Sequence, residues 1–576
     1  MRWRLVAFAG AALLAAAPLA GQQANISRAF ELERRGDYRA AADMYRTVLA
    51  SRPADPAALL GLERVLVPLN RAGELLPEVR AALAAESPSG AVYGVALRTW
   101  ASADEPDSMR AIAERWAATA PADEAPYREW GAAALGRHDH AGAAEAYAVG
   151  RGRLKRPDAL AAERAQLAVM DGDYKTGLRE WLAAVRRLPA YRLSAVGALS
   201  QAPADARPEI LHALSREEDF VARRMEAELR VRWGDPVGGL QTLLAALPDG
   251  RGPATEALDE LVDQLRTDRT PRGELALARC LEALADRSPG ADQSRLRLES
   301  ARAYAAAGDN DAARRMLTGL ADDHAASRSV AAGASAALIQ VLIASGHLDE
   351  AGQRLDTPGL ALSADEREEL RLRLVNGWLR EGDLSKAETA LGGDSTVEAL
   401  ALRGKIRLFR GDLAGAVENF RKAGPYAGDR QEATSRTALL ALLQPLEADS
   451  LPSLGNAMLL LERGDTSHAI DALEGVSRGV PAGSGGAGIS FLAGRLAAAS
   501  GRGADAERLF RAAAVTDAPG TAPAAELALG EYFLAQNRAS DAVAQLEHLI
   551  LTYPEIALVP QARRRLDQAR GAVPKT

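Results

Sequence analysis

Cysteine is almost absent from this chain of 576 residues, which contains one, Cys280. A single thiol cannot form an intramolecular disulfide, so the fold is predicted to depend on packing alone. Cys280 lies in the apolar helical pattern ELALARCLEAL (274–284), where a buried packing role is expected. The motifs C-x-x-C, H-E-x-x-H and G-x-x-x-x-G-K-[ST] are also missing, which removes the usual signatures of zinc and nucleotide sites.

Aromatic residues are scarce at 5%, whereas hydrophobic residues reach 48% and alanine is abundant. Alanine has the highest helix propensity, and its small side chain lets helices approach closely. The 70 basic and 77 acidic residues are interspersed, giving a net charge of −7 without a long block of either sign. A nucleic-acid-binding protein is expected to carry a basic face, so nucleic acid is not a predicted partner.

Histidine is also rare, and its placement gives little support for metal binding. His138-Asp139-His140 is the nearest approach to a ligand cluster, and it lies in a predicted turn. Histidines two residues apart point to different faces of a helix, so a solvated turn is the favoured interpretation. The other histidines are single and have no evident catalytic partners. The sequence therefore predicts no metal, no cofactor, no catalytic residues and no enzymatic activity.

One glycine string resembles a dinucleotide fingerprint. Residues 483–488, GSGGAG, match G-x-G-x-x-G. That fingerprint has a mechanical meaning only after a strand and before a helix, where the backbone can approach a pyrophosphate. Helical patterns lie on both sides here, and no β-branched strand precedes the string. We predict an inter-repeat loop.

The N-terminus has the pattern of a secretory signal peptide over residues 1–21. Arg2 and Arg4 precede the apolar run 5–20, and small residues follow at Ala20 and Gly21. Gln22 stands where a lipoprotein box requires cysteine, so no lipid anchor is predicted. No other apolar run approaches the ~20 residues of a bilayer span. The expected mature protein is periplasmic or secreted, with no transmembrane span.

Internal repeats dominate the remainder of the chain. RRGDYRAAADMYRTVLASRP (34–53) has relatives at 170–189, 380–391, 409–424 and 462–476, each with a helix end, a short turn and a second amphipathic helix. Glycine and asparagine readily adopt the left-handed conformation that ends a helix, and a following aspartate can cap the next one. The commonest spacing is near 36 residues, and some gaps are about twice that. The predicted turn residues are Gly36, Gly73, Gly136, Gly172, Gly234, Gly308, Gly346, Gly382, Gly411, Gly464, Gly501 and Asn537.

Side-chain size keeps register with these turns. Alanine or glycine usually stands seven residues before the turn, as at Gly404, and a large apolar residue usually stands nine after it, as at Phe420. Two antiparallel helices approach closely only where side chains are small, and a large neighbour fills the space beside the contact. The sequence therefore predicts tightly paired helices.

This pattern resembles the tetratricopeptide repeat family, with the best copies at 399–423 and 526–554. Pro53, Pro189 and Pro554 fall where that family closes a repeat. The resemblance implies an all-α fold, a right-handed α-solenoid of antiparallel helix pairs. We predict a signal peptide (1–21), N-terminal repeats (22–189), degenerate helical repeats (190–290), central repeats (291–423), an inserted helical segment (424–456) and C-terminal repeats (457–576).

In that family the first helix of each repeat lines a concave groove. We call the residue six before each turn the groove position, because the resemblance implies that it faces a partner. Hydrogen-bonding side chains are common there and suit a protein or peptide partner, although any solvent-facing helical position is also usually polar. The predicted groove residues are Gln166, Glu228, Arg302, Gln340, Asn376, Lys405, Arg495 and Glu531.

These observations favour a non-catalytic, protein-binding scaffold of the bacterial cell envelope. Residues 553–574 resemble the last repeats of envelope assembly proteins such as the Tol–Pal coordinator group. The alternative is an accessory subunit of an envelope glycan synthesis, export or other enzyme complex. An active site of its own would be expected in residues 190–290 and would be supported by a pocket holding a carboxylate pair of raised pKa.

Overall fold

The chain is built from α-helices, as a computed structural model shows. It describes residues 25–572 apart from 86, 324, 361 and 425–426, and the predicted signal peptide lies outside these residues. No β-strand occurs in the described residues. The predicted all-α class is confirmed.

The chain forms two compact units, Met1–Ala276 and Leu277–Thr576, and their boundary lies inside helix α16 (Pro271–Ala285). Short 3₁₀ turns occur at Ala72–Leu75, Pro189–Tyr191 and Ala482–Ser484. The described helices of unit 1 are α1 (25–34), α2 (Tyr38–Ser51), α3 (Pro56–Leu66), α4 (Leu76–Leu83), α5 (Gly90–Ser102), α6 (Pro106–Thr119), α7 (Ala125–Leu135), α8 (His140–Leu154), α9 (Ala161–Met170), α10 (Tyr174–Arg187), α11 (Arg192–Ser200), α12 (Arg207–Ser215), α13 (Phe220–Arg232), α14 (Pro236–Ala246) and α15 (Arg251–Leu265). Those of unit 2 are α17 (Ala291–Ala306), α18 (Asn310–Ala321), α19 (Arg328–Ala344), α20 (Leu348–Leu355), α21 (Ala364–Glu381), α22 (Leu384–Leu391), α23 (Val397–Phe409), α24 (Leu413–Ala423), α25 (Arg430–Leu443), α26 (Pro452–Glu462), α27 (Thr466–Gly479), α28 (Gly486–Ala499), α29 (Gly503–Ala513), α30 (Ala522–Ala535), α31 (Ala539–Thr552) and α32 (Val559–Ala572).

Consecutive helices pack as pairs within each unit. In unit 1, α9 packs along α10 and α13 along α14, and in unit 2, α23 packs along α24 and α28 along α29. Because a short turn joins the two helices, each pair is antiparallel. The first helices of successive pairs also contact one another, as α5 does α7 and α19 does α21. Each unit is therefore a tetratricopeptide-like stack of helix pairs, whose members bury their apolar faces against their neighbours.

One helix interrupts the alternation in unit 2. Helix α25 lies between α24 and α26, and α26 packs directly against α23. The first helix that follows α23 in the stack is therefore α26. Helix α25 is a third helix in the repeat formed by α23 and α24. Its range falls in the segment 424–456, where the sequence predicts an insertion.

The turns confirm most of the predicted left-handed positions and correct the rest. All predicted turn residues except Gly73 and Gly136 have positive φ. At those two turns the positive φ falls instead on Asn70 and His138, and Asp104 forms a further turn that the sequence analysis missed. Asparagine, aspartate and histidine are the non-glycine residues that best tolerate this conformation. The left-handed residues in this part of the chain are therefore spaced at equal intervals of 34 residues: Gly36, Asn70, Asp104, His138 and Gly172.

The aspartates that follow the turns cap the second helices, as predicted. In each case the side chain accepts a hydrogen bond from a backbone N–H of the first helical turn, which has no partner inside the helix. The capping residues are Asp37, Asp173, Asp235, Asp309, Asp383, Asp412 and Asp465.

Replacing one such cap tests this account. Asp173 accepts from the backbone N–H of Thr176 at 3.0 Å, and this hydrogen bond is the main cause of its lowered pKa. We expect Asp173→Ala to lower the free energy of unfolding by about 1 kcal/mol in guanidinium denaturation at neutral pH. Asp173→Asn keeps the acceptor and is the control. Equal losses in both variants would contradict capping as the role of this side chain.

The size pattern around the turns is also confirmed. A Cβ atom built on Gly404 would lie 2.5 Å from the ring of Phe420, and one built on Gly494 would lie 2.8 Å from Phe510. Such distances are far inside van der Waals contact, so only glycine fits there. The large side chain of the second helix thus packs directly against the small residue of the first helix.

Two further sequence predictions concern Cys280 and the glycine string. Cys280 is buried, which agrees with the predicted packing role. The prediction of a loop at 483–488 is wrong in part, because α28 begins at Gly486 and the end of the string is helical. Helix α27 precedes the string, so the strand required by a dinucleotide fingerprint is not found in this described segment. Gly486 has a packing role, since a Cβ atom there would lie 2.2 Å from the carbonyl oxygen of Val480.

Candidate protein-binding surface on the first helices

The corrected turns place arginines at two groove positions of unit 1. Arg64 stands six residues before Asn70, and Arg98 stands six before Asp104. Neither residue is among the predicted groove residues, because Gly73 and Gly136 are the predicted turns. A search for equal 34-residue steps between Gly36 and Gly172 could have found them.

These arginines join successive first helices through ion pairs. Arg64 donates from Nε and Nη2 to the carboxylate of Glu33 at 2.7 and 2.9 Å, which lowers the pKa of Glu33. Arg98 donates in the same bidentate way to Glu63 at 2.7 and 2.8 Å. Both guanidinium groups already have carboxylate partners within the protein. This stretch of unit 1 therefore presents charges that neutralise one another.

The two groove residues predicted in unit 1 differ in exposure. Gln166 is exposed on α9 and forms no hydrogen bond with any other described residue. Glu228 on α13 is buried and contacts Arg192 and Arg224, and Arg224 also lies 2.9 Å from Glu260. Burial raises the pKa of Glu228 against the effect of these arginines. Glu228 therefore belongs to an internal ionic network and does not face a partner.

Arg302 and Gln340 form the most accessible predicted pair in unit 2. Both are exposed, on the neighbouring first helices α17 and α19, and neither has a hydrogen bond or ion pair within the part of the chain that the structure describes. The guanidinium group of Arg302 extends over α19, where a Cβ atom built on Gly333 would lie 3.2 Å from Nη2. Gly333 and Gln340 are seven residues apart, about 10 Å along one helix face. The guanidinium group of Arg302, from α17, and the amide of Gln340, from α19, therefore lie about two turns apart along α19.

Asn376 and Lys405 line one cavity of about 430 Å³. The amide of Asn376 donates to the carbonyl oxygen of Leu372 at 3.0 Å, and the ammonium of Lys405 lies 3.4 Å from the carboxylate of Glu462. Helix α25 closes one side, so the inserted helix creates the cavity. The described lining consists of Leu372, Asn376, Glu398, Ala401, Leu402, Lys405, Phe420, Asp429, Gln431, Glu432, Ser435, Arg436 and Leu439.

Arg495 and Glu531 line a second cavity, of about 560 Å³, between α28, α30 and α32. Glu531 accepts hydrogen bonds from Arg565 at 2.8 Å and Gln561 at 3.1 Å. Arg495 is exposed and forms no contact of this kind with another described residue. We call this cavity the aromatic cup, and it is lined by Phe491, Arg495, Ala498, Phe510, Ala524, Leu527, Ala528, Glu531, Tyr532, Ala535, Gln536, Leu558 and Gln561.

The structure therefore groups four predicted residues of unit 2 into two cavities and leaves Arg302 and Gln340 on open helix surface. Lys405 and Glu531 are engaged by internal partners, whereas Arg302 and Arg495 are free among the described residues. Sequence reasoning missed Glu398, a half-buried wall residue of the Asn376 cavity, and the rings of the aromatic cup. Their positions depend on helix stacking, which the groove-position rule does not include.

Besides Glu228, a carboxyl group with a raised pKa occurs in a pair outside residues 190–290. Interaction with the carboxyl group of Asp394 raises the pKa of Glu368, and interaction with Glu368 lowers the pKa of Asp394. Asp394 lines an open cavity of about 570 Å³. The two cations of that cavity are already engaged, Arg371 beside Glu368 at 3.5 Å and Lys386 with Asp349 at 2.8 Å. The site thus holds its own counter-charges and supports no particular reaction.

Metal binding and membrane insertion gain no support from the described chain. His138 occupies the left-handed turn position, and His140 contacts Asp171. Among the residues with a described placement, no group of three or more histidine, cysteine, aspartate or glutamate side chains could hold a metal ion. None of the helices described is both long and apolar enough to cross a bilayer.

Comparisons with known proteins find only weak structural similarity. No protein-family model and no curated protein matches this sequence. A chain of the Naa15/Naa10 complex bound to HypK-THB aligns at 10% identity, over 95% of this chain and 96% of that one, with a TM-score of 0.24. A chain of the APC/C hetero-tetramer Cut9-Hcn1 aligns at 13% identity, over 94% and 95%, with a TM-score of 0.21. Similarity at this level supports no transfer of function.

Proposed function

We propose that the chain is a non-catalytic scaffold of the bacterial cell envelope that holds an extended segment of a partner protein along the first helices of unit 2. One observation carries the proposal. Arg302 and Gln340 are exposed on adjacent first helices and are unpaired within the described residues. Charged and amide side chains that lack internal partners are available to a peptide backbone or carboxylate.

The spacing of the helices favours an extended segment. Packed helices lie about 8–10 Å apart. An extended chain rises about 3.3 Å per residue, so every third residue of a bound segment would meet the next first helix. Arg302 and Gln340 stand on helices that are neighbours in this series. An extended partner could therefore contact both side chains at once.

The cell envelope is proposed from the sequence. The pattern of Arg2, Arg4 and the apolar run 5–20 supports export, and the resemblance of residues 553–574 to envelope assembly proteins supports the compartment. A single buried cysteine is compatible with an oxidising compartment, because the protein has no pair of thiols to cross-link. Fractionation of the source cells tests the location, and recovery in the cytosol would contradict it.

Replacing the two unpaired side chains with carboxylates tests the binding role. We expect the double variant Arg302→Glu/Gln340→Glu to retain at least ten-fold less partner than the native chain. Loss of a hydrogen bond to a charged group costs about 1.5–3 kcal/mol, and the new carboxylates add repulsion towards an acidic partner. The measurement is affinity capture from envelope extract, quantified by mass spectrometry, with circular dichroism to verify the helical content.

The matched control is Arg315→Glu. Arg315 is exposed on α18, the second helix of the pair that contains Arg302, and has no ion pair within the described residues. It imposes the charge change of Arg302→Glu outside the groove positions and should retain the partner. Equal retention by the folded double variant and the native chain would overturn the proposed surface.

A further inference from the structure

Aromatic rings line part of the aromatic cup. The ring of Phe491 on α28 lies 6.1 Å from that of Phe510, and Phe510 lies 6.3 Å from the ring of Tyr532 on α30, both in tilted arrangements. Phe510 is buried, but Phe491 and Tyr532 are only half-buried. Leu558 adds a half-buried aliphatic side chain. Two aromatic faces and one aliphatic group thus remain open to an apolar group in the cup.

Small residues keep the cup open. Ala524 and Ala528 are four residues apart on one face of α30, and Ala498 lines the cup from α28. Larger side chains at these positions would occupy the space beside the rings. The volume of about 560 Å³ falls within the range of ligand pockets, roughly 300–1,000 Å³. The cup can therefore take a large side chain of a bound segment.

The unneutralised charge of the cup is positive. Glu531, the acid in the lining, is engaged by Arg565 at 2.8 Å and by Gln561. Arg495 has no counter-ion among the described residues and is exposed beside the rings. A guanidinium group binds a carboxylate through two parallel, charge-assisted hydrogen bonds. Charge complementarity therefore selects a carboxylate next to the apolar group.

We propose that the aromatic cup recognises a partner segment in which a large apolar residue, preferably aromatic, adjoins aspartate or glutamate. The apolar side chain packs between Phe491 and Tyr532, and the carboxylate pairs with Arg495. This inference rests on the proposed function and adds the chemistry of the partner. The cup lies on α28, α30 and α32, which contact one another in succession as the first helices of their repeats do. It would therefore bind one short part of an extended peptide.

Fluorescence anisotropy with defined peptides tests the proposal on the full chain. The probe is a fluorescein-labelled decapeptide in which Phe-Asp pairs alternate with Gly-Ser pairs, and two matched probes replace every Asp with Lys or every Phe with Ser. We expect the Phe-Asp probe to bind at least ten-fold more tightly than either matched probe. Arg495→Glu should weaken that binding at least ten-fold and shift the preference to the Lys probe. Ala528→Leu, which fills the cup, should weaken both Phe-containing probes.

Arg563→Glu is the matched control, because Arg563 is exposed on α32 outside the cup lining and has no described ion pair. It should leave all three affinities within two-fold of native. Equal binding of the three probes, or an unchanged preference in Arg495→Glu, would overturn the assignment. If Arg302→Glu/Gln340→Glu still loses its partner in that event, the scaffold function stands and only the chemistry of the cup is wrong. If Arg302→Glu/Gln340→Glu retains its partner normally while Arg495→Glu loses binding of the probe, the assignment of the cup stands. The proposed binding surface at Arg302 and Gln340 is then wrong.

Discussion

Replacing Arg151 with methionine is expected to lower the free energy of unfolding of unit 1 by about 3–5 kcal/mol, the usual cost of breaking a buried ion pair from one side. The side chain of Glu180 is 4% exposed. Arg151 donates to its two carboxylate oxygens at 2.9 and 2.6 Å, and to the carbonyl oxygen of Ala159 at 3.0 Å. Methionine supplies none of these hydrogen bonds. Apart from residues next to it in the sequence, the nearest cation left to the buried carboxylate of Glu180 is then Arg164, at 3.3 Å.

Tryptophan fluorescence during urea denaturation measures this loss, because five of the six described tryptophans lie in unit 1: Trp100, Trp116, Trp130, Trp181 and Trp233. Arg153→Met is the matched control on the same helix. Arg153 is exposed and has no hydrogen bond within the described chain, so a change within about 0.5 kcal/mol is expected. Arg151→Met/Glu180→Leu removes both charges and should recover much of the loss. If it does not, unpaired burial of the carboxylate is not the cause.

The same pair predicts how stability depends on pH. Burial alone would raise the pKa of Glu180, but the hydrogen bonds and charge of Arg151 and the charge of Arg164 outweigh it and lower that pKa. An acid with a lowered folded pKa stabilises the protein above its unfolded value and loses this contribution as pH falls through the folded value. The native chain should therefore lose stability as pH falls from about 4.3. Arg151→Met should show a smaller loss in that range.

The turns show how much of the fold the sequence could predict. Glycine followed by aspartate, as at Gly172 and Asp173, combines two independent signals, and the structure confirms both there. Asn70, Asp104 and His138 carry no comparable signal, because their left-handed conformation depends on the helices that they connect. Their equal spacing was the information available. A search for glycine followed by aspartate therefore misses them.

Burial explains where the prediction of the groove residues fell short. Glu228 has the sequence position of an exposed groove residue, yet Arg192 and Arg224 enclose it. Arg192 is 36 residues away on another helix, so its contact with Glu228 appears only after the helix pairs stack. Arg302 and Gln340, in contrast, remain exposed. The sequence predicts which residues occupy a position, and tertiary packing determines which of them are accessible.

Phe420→Ala is expected to lower the free energy of unfolding of unit 2 by about 3–5 kcal/mol. Phe420 is 1% exposed, and its ring fills the space above Gly404, where a Cβ atom would lie 2.5 Å from it. The change removes apolar burial and leaves a cavity. Guanidinium denaturation followed by circular dichroism measures the loss. Gly475→Ala, at an exposed helical glycine with no atom within 4 Å of a built Cβ, is the control and should stabilise by about 1 kcal/mol.

Exchanging the sizes of the two residues tests their interlock directly. Gly404→Leu alone forces a side chain into the ring of Phe420 and should itself destabilise by about 1–3 kcal/mol or more. In Gly404→Leu/Phe420→Ala the leucine enters the space that the ring vacates, so the double variant should cost less than the sum of the single ones. Contacting residues typically show coupling of about 0.5–3 kcal/mol. Additive losses would mean that the two positions do not share one space, and the size register around the turns would then not explain how these helices pair.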